Sequence, residues 1–450
     1  MHLPRLLGLT LSGLLLATAL PARANPFETT LANGLRLIVK EDHRAPTVTH
    51  MVWYRVGAMD ETTGTTGVAH ALEHMMFKGT ETVGPGKFNR RVAAVGGADN
   101  AFTTQDYTAY FQQVPREGLA EMMTLEADRM AHLRIDDGLF AKELAVIREE
   151  RRLRIEDQPR ARLAETLMAS IYQAHPYGHP VIGWPTDLDQ LDAQDVRDWY
   201  QRWYSPGNAT VVIVGDVAHE EVFRLAESLY GPLAARALPA RKLPAEPPQH
   251  GIRRVTLEAP AELPYLMLAW RVPALASADT TSPAARSALA LQVLAAVLDA
   301  YDGARLNRHL VRERRLAQSV GASSDPVSRG RENLFILEGV PAGHTGLAEL
   351  ESALRAEVRR VADKGVSADE LARIKAQLLA GKVFARDSNM GQAMQIGGLE
   401  MAGFSWRDAD PLTEALRGVR AEEVRAAARL LLDNTRLTVA TLIPVPADRP

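Results

Sequence analysis

The chain has 450 residues, nearly half apolar and about a quarter charged, with a net charge of −3 and no cysteine. That length and balance suit two to three globular domains with ample core, and there is no basic excess to favour nucleic acid as a partner. Without cysteine there is no disulfide, no lipoprotein anchor and no thiolate ligand, so any metal must be held by His, Asp or Glu.

In chain order, residues 1–24 stand apart. His2 and Arg5 precede an apolar run from Leu6 to Leu20, then Pro21 and the small-x-small triplet Ala22-Arg23-Ala24. This is the pattern of a secretory signal peptide, with cleavage expected after Ala24. The run is short for a membrane span and no other segment approaches one, so a periplasmic or secreted protein, free of the membrane after cleavage, is expected. Phe27–Thr30 and the alternating Leu35, Leu37 and Val39 flank Ala32-Asn33-Gly34, a hairpin pattern. A second strand is expected over Thr47–Val56.

The next segment, Gly67–Phe77, carries chemistry. His70, Glu73 and His74 follow i, i+3, i+4 and share one helix face, while Val68, Leu72, Met75 and Met76 form the opposite, core-facing stripe. Two neutral imidazoles on one face can hold a divalent metal, and the carboxylate between them can take a proton from the water that the metal activates. His70-x-x-Glu73-His74 is the inverted zinc-protease signature; a solvated polar helix face is the bland alternative. A catalytic zinc usually has a third protein ligand, and Phe140–Arg152 is the best segment to supply it. There Glu143 and Glu150 stack two turns apart beside the stripe Phe140, Leu144 and Ile147, while Glu149 points elsewhere. A charged helix laced with ion pairs explains the same residues. Between these segments, Phe102–Phe111 alternates as one strand after Gly96-Gly97, compatible with an ordinary core strand. Arg90-Arg91 and Arg151-Arg152 read as solvated helix faces.

Two halves are visible. The first runs from Phe27 to about Gly231 and ends in a strand. A proline-rich stretch, 232–250, follows as an interdomain linker. The second half has strands at Arg254–Leu257 and Leu266–Val272, a long helix over Ser282–Tyr301, and a final strand at Arg436–Leu442. Ala193–Arg197 before Asn208–Ile213 is echoed by Ala421–Arg425 before Asn434–Val439. The expected fold is therefore α+β, with two homologous domains, 25–231 and 251–450. Each is a mainly antiparallel sheet with helices packed on one face, and the second has no counterpart of the metal motif.

The chain resembles the pitrilysin/insulinase family of zinc peptidases, closest in pattern to the half-length members that include the mitochondrial processing peptidase and its bacterial relatives. The resemblance is carried by Gly67–Thr80, Gly96–Thr103, Asp106–Tyr110, Val146–Glu150, His175-Pro176-Tyr177-Gly178 and Trp203–Ala209. It implies a zinc endopeptidase, with His70, His74 and Glu150 holding one zinc per chain, manganese or cobalt being admissible. It makes Glu73 the general base and Glu143 an additional glutamate that orients a ligand histidine. It assigns Asn100, Ala101, Phe102 and Thr103 to an edge strand that receives an extended peptide. It also implies half of a clamshell, completed by a second chain. In the family the far half supplies an arginine and a tyrosine seven residues apart. Here Gln318 stands at the tyrosine position, and Arg312 is one place out of register with the arginine. The expected partner is thus a second family chain carrying that pair, or a homodimer. The rival reading is a non-catalytic peptide-binding or assembly subunit of the same fold.

Overall fold

The computed structural model describes residues 25–446, so the expected signal segment lies outside the described residues. The first half contains β1 (Phe27–Thr30), β2 (Arg36–Glu41), β3 (Thr47–Tyr54), α1 (Val68–Met75), α2 (Lys87–Ala94), β4 (Ala98–Thr103) and β5 (Thr108–Pro115). It continues with α3 (Leu119–His132), α4 (Asp137–Arg151), α5 (Pro159–Ile171), the short α6 (Pro185–Leu188), α7 (Ala193–Trp203), β6 (Ala209–Gly215) and α8 (His219–Leu229). It therefore closes with a helix after its last strand, where the sequence pattern suggested a strand. Residues 232–252 hold neither helix nor strand. The second half contains β7 (Arg253–Pro260), β8 (Tyr265–Val272), α9 (Pro283–Asp299), β9 (Ala317–Ser323), β10 (Asn333–Pro341), α10 (Leu347–Lys364), α11 (Ala368–Ala385), α12 (Asn389–Ala402), α13 (Ala409–Arg417), α14 (Ala421–Leu430) and β11 (Leu437–Val445).

The two sheets share one topology. The first runs β1-β2-β6-β3-β5-β4 and the second β7-β11-β8-β10-β9. In each, the last strand of the half lies parallel to the first long strand, β6 on β2 and β11 on β7, and the remaining pairs are antiparallel. The two-domain α+β plan read from the sequence is the observed one. One element differs: Phe102–Phe111 is not one strand but a hairpin. Asp106 N and Tyr107 N both donate to Thr104 Oγ1, at 3.1 Å each, and this side-chain turn replaces ladder bonds. The result leaves β4 at the sheet edge, paired only with β5.

β3 and β6 are buried on both faces, as the unbroken run Val211-Val212-Ile213-Val214 suits. On one face Val52, Tyr54, Val211 and Ile213 pack against the helices of their own half. On the other, Met51, Trp53, Val212 and Val214 pack against Ala393, Ile396 and Met401 of α12, from the second half. The exchange is reciprocal: Leu163, Leu167 and Ile171 of α5 cover Met267, Ala269, Ala440 and Leu442 of the second sheet. Each half thus lends one helix to the bare face of the other's sheet, where exposed strands would otherwise leave a large apolar surface in water. The contact is close. A Cβ added at Gly397 would lie 2.1 Å from the Trp53 ring. Gly397→Val should therefore cost about 1–3 kcal/mol through overpacking and lower the unfolding midpoint by several degrees. Gly398→Ala, next to it in the same helix but facing open space, should instead hold or slightly raise the midpoint in the same calorimetric scan, because alanine is the better helix former.

Candidate metal centre

α1 begins at Gly67, whose φ of +89° and close approach to the Ile182 carbonyl (2.8 Å from a built Cβ) admit only glycine. Glycine has no side chain to cap the helix, so Glu61 supplies one: its two carboxylate oxygens accept from Gly67 N and Ala69 N, at 2.9 Å each. The preceding turn is tied to Asp187, which accepts from Thr66 Oγ1 at 2.6 Å and from Gly64 N at 3.1 Å. With Val68, Leu72 and Met75 sunk in the core, His70, Glu73 and His74 face a cleft of about 820 Å³.

The facing wall is the last turn of α4. Its apolar stripe Phe140, Leu144 and Ile147 is buried, and Glu143 is buried beside it. The helix end is pinned by Arg151, which donates to both Glu165 oxygens at 2.8 and 2.9 Å and to the Gly183 carbonyl at 2.8 Å. Arg151 is 3% exposed, which corrects its reading as a solvated residue. Arg152 is exposed and pairs with Glu149 and Asp157, as surface arginines do. After Arg151 the chain loosens into a π-helical turn, Arg152–Glu156.

Glu150 approaches His74 Nε2 to 3.2 Å and His70 Nε2 to 3.8 Å. One ligand atom from each of His70, His74 and Glu150 lies within 4.8 Å of the others. The ring of His74 is held from behind by Glu143, 2.9 Å from Nδ1, and Glu143 is itself held by Lys78 at 2.5 Å. Glu73 receives the Thr103 hydroxyl of β4 at 2.5 Å. Burial, reinforced by His74, lowers the His70 pKa to about 4, so its imidazole is neutral and free to ligate. Burial would lower His74 as well, but hydrogen bonds to Glu150 and Glu143 win and raise it. Those same histidines hold Glu150 below its usual range, the His74 hydrogen bond first. Glu73 is raised by burial, against the pull of Thr103. Two imidazole nitrogens, one carboxylate, and a second carboxylate behind one ring form a donor set that fits a zinc-type ion. Another group, Glu41, His219 and Glu220, also has ligand atoms this close. There both ring nitrogens of His219 already face carboxylates, at 2.8 and 3.1 Å, and the pairing satisfies them without an ion.

The four β4 residues divide. Thr103 reaches Glu73, and Ala101 packs toward the helix-covered face. Phe102 turns to the opposite face, edge-on to Trp53 and Tyr107. The Asn100 Oδ1 accepts the neighbouring Ala101 N–H at 2.8 Å, and among the described residues no strand lies on the outer side of β4. Gln318, on β9, and Arg312 are both exposed. The sequence motifs gave no role to Lys78, Arg154 or Arg151. Lys78 was findable as the residue four after His74. Arg154 was findable as i+4 from Glu150, which it contacts at 2.7 Å.

An inverted His-x-x-Glu-His helix facing a glutamate across a cleft, on a duplicated α+β half-shell, defines a site of the metallopeptidase type. The profile of the insulinase family (peptidase family M16) matches residues 36–184, and the profile described as the peptidase M16 inactive domain matches residues 190–378. The chain belongs to this family. It is 28% identical over 423 residues to the zinc protease PqqE of Helicobacter pylori, covering 92% of each chain. The crystal structure of a protease from Helicobacter pylori superposes with a TM-score of 0.86 at 25% identity, over 93% of this chain and all of that one. The periplasmic protease PqqL of Escherichia coli shares the fold at 19% identity and a TM-score of 0.78, over 95% of this chain but 48% of that one.

Replacing Glu143 with Gln should weaken metal binding by about tenfold or more, because the His74 ring loses its charged anchor. Titration of the metal-free protein with zinc checks this. Thr103→Val should lower turnover by about tenfold with metal content unchanged, and Thr103→Ser should restore it.

Proposed function

We propose that the chain is a zinc-dependent endopeptidase of the periplasm or secreted space, acting on extended peptides or unfolded segments. The observation that supports this best is the convergence of His70, His74 and Glu150 beside Glu73, in a cleft bordered by the open edge of β4. Relatives that match over nine-tenths of this chain, PqqE among them, are named zinc proteases, which agrees with a peptidase. In this reading residues 25–231 form the metallopeptidase domain, 232–250 the linker, and 251–450 the metal-free pseudo-repeat.

His70, His74 and Glu150 would hold one zinc. Bound there, zinc supplies a Lewis acid that acidifies water and polarises a carbonyl. The chain's own groups do the rest. The outer-edge groups of β4 between Asn100 and Thr103 that β5 does not take pair with an extended peptide and present one of its carbonyls to the cleft. The Asn100 side chain gives up the Ala101 N–H where the peptide needs it. Glu73 accepts the proton of the attacking water and returns it to the leaving amine. Burial keeps its carboxylate basic, and the Thr103 hydroxyl aims it. Glu143 fixes the ring of His74 so that Nε2 faces the metal position.

We further infer a two-chain enzyme in which this chain is the metal-bearing subunit. Gln318 and Arg312 do not reproduce the family's arginine and tyrosine pair, and this chain spans about half of the periplasmic protease PqqL.

Glu73→Gln should retain zinc and lose turnover by about a hundredfold or more, whereas His74→Ala should lose zinc itself. Metal analysis beside hydrolysis of a quenched peptide library separates the two. Turnover that survives Glu73→Gln would refute the mechanism. Residues 25–450 alone, zinc-loaded, should be weakly active and gain activity with a family partner. Full activity of a homodimer would refute the two-subunit assignment and leave the peptidase reading intact.

A further inference from the structure

Behind the metal helix, on the linker side, lies a second cavity of about 700 Å³. Its lining brings together five cations, Arg55, Arg202, Arg241, Lys242 and Arg329, around one available carboxylate, Asp60. Asp60 is shared by Arg241, at 2.9 Å, and Arg329, at 2.5 Å, and also accepts from Gly57 N at 3.0 Å. The other acid of the lining, Glu61, has both oxygens taken by the N-terminus of α1.

Arg55, Arg202 and Lys242 therefore have no ion-pair partner among the described residues. Arg55 is half-buried, and its side chain donates only through Nε, to the Met401 carbonyl at 3.2 Å. Burial, then repulsion from Arg329 and Arg241, pushes its pKa below the ordinary value. Arg241 and Arg329 are already held by Asp60 and by the Arg55 carbonyl, Arg329 at 3.0 Å from the latter. The other three cations have no such counter-charge, and a partly desolvated guanidinium gains most from an anion. The wall is also shaped: the Arg241 guanidinium sits over the Trp203 ring, 4.5 Å from its centroid, which helps fix the fork. Among the described residues no group of metal-type ligands lines this space, and its chemistry is dominated by cations, which suits binding.

We propose that this cavity binds a small dianion, of the phosphate or dicarboxylate class, through Arg55, Arg202 and Lys242, with Arg241 and Arg329 completing its cage. Such a ligand bridges the first half (Arg55, Arg202), the linker (Arg241, Lys242) and the second half (Arg329), so it clamps all three. The inference stands apart from the peptidase reading, since none of these residues touches the metal cleft.

The test uses the zinc-loaded chain 25–450, titrated separately with sodium phosphate and sodium succinate at constant ionic strength. Calorimetry and the thermal unfolding midpoint are the readouts. Saturable binding is expected, with a midpoint that rises to a plateau. The double variant Arg202→Ala/Lys242→Ala, which removes two exposed side chains, should weaken it by about tenfold or more, and so should Arg55→Gln. Peptide hydrolysis by the double variant without added anion should equal that of the unmodified chain. Tighter binding of phosphate than of succinate, or the reverse, identifies the class. A midpoint that rises without saturation, or binding that persists unchanged in the double variant, would overturn the proposal.

Discussion

The geometry of the metal centre hangs on one segment, the loop residues 182–184 with the short helix α6 that follows, which receives two helices at once. Gly67, at the head of α1, lies against Ile182 and Gly183, and Asp187 ties down the turn before it. Arg151, at the foot of α4, donates to the Gly183 carbonyl. His70 and His74 ride on the first helix and Glu150 on the second, so the loop sets the distance between them. Its backbone contacts are tight enough that neither glycine tolerates a Cβ, since a Cβ at Gly183 would meet the Thr66 carbonyl at 2.5 Å. A ligand set assembled from two helices needs such a common reference, because an ångström of drift on either side opens the site.

The two halves are held by exchange rather than by simple abutment. α5 and α12 each complete the core of the opposite sheet, which makes the halves interdependent although each has the same strand topology. Polar contacts pin the seam beside them. The Tyr177 hydroxyl pairs with Asp106, whose other oxygen accepts from Arg329 N at 2.9 Å, and Gly330 N donates to the Tyr177 hydroxyl at 2.9 Å. The His175–Gly178 segment, which in sequence carries part of the family resemblance, serves to dock the halves. α5, reached from Glu150 through the π-helical turn, connects the metal cleft to the second sheet in one continuous stretch of chain.

Electrostatics in the cleft follows from the same packing. Burial depresses His70 and elevates Glu73, so the metal-side imidazole stays neutral while the carboxylate stays basic. Glu143 and Glu150 draw His74 the other way, and Lys78 balances Glu143. Three carboxylates near two histidines would repel one another strongly if left alone, and the cations Lys78 and Arg154 offset part of that charge.

The sequence by itself determined the local features that repeat along the chain. The i, i+3, i+4 spacing put His70, Glu73 and His74 on one face, and the stripe beside Glu143 and Glu150 set them apart from Glu149. The echo of helix, Asn-turn and strand revealed two like halves. These are legible because helix and strand periods are properties of neighbouring residues. Only the tertiary structure decided which residues meet across distance. It folded Phe102–Phe111 into a hairpin, buried Arg151 against Glu165 and sent α12 across to Trp53. It also gathered Arg55, Arg241 and Arg329 from three parts of the chain. The hairpin is closed locally, by the Thr104 side chain competing with the ladder. The other contacts join residues that no local period relates, and there the choice is made by core packing and by the pairing of buried charges.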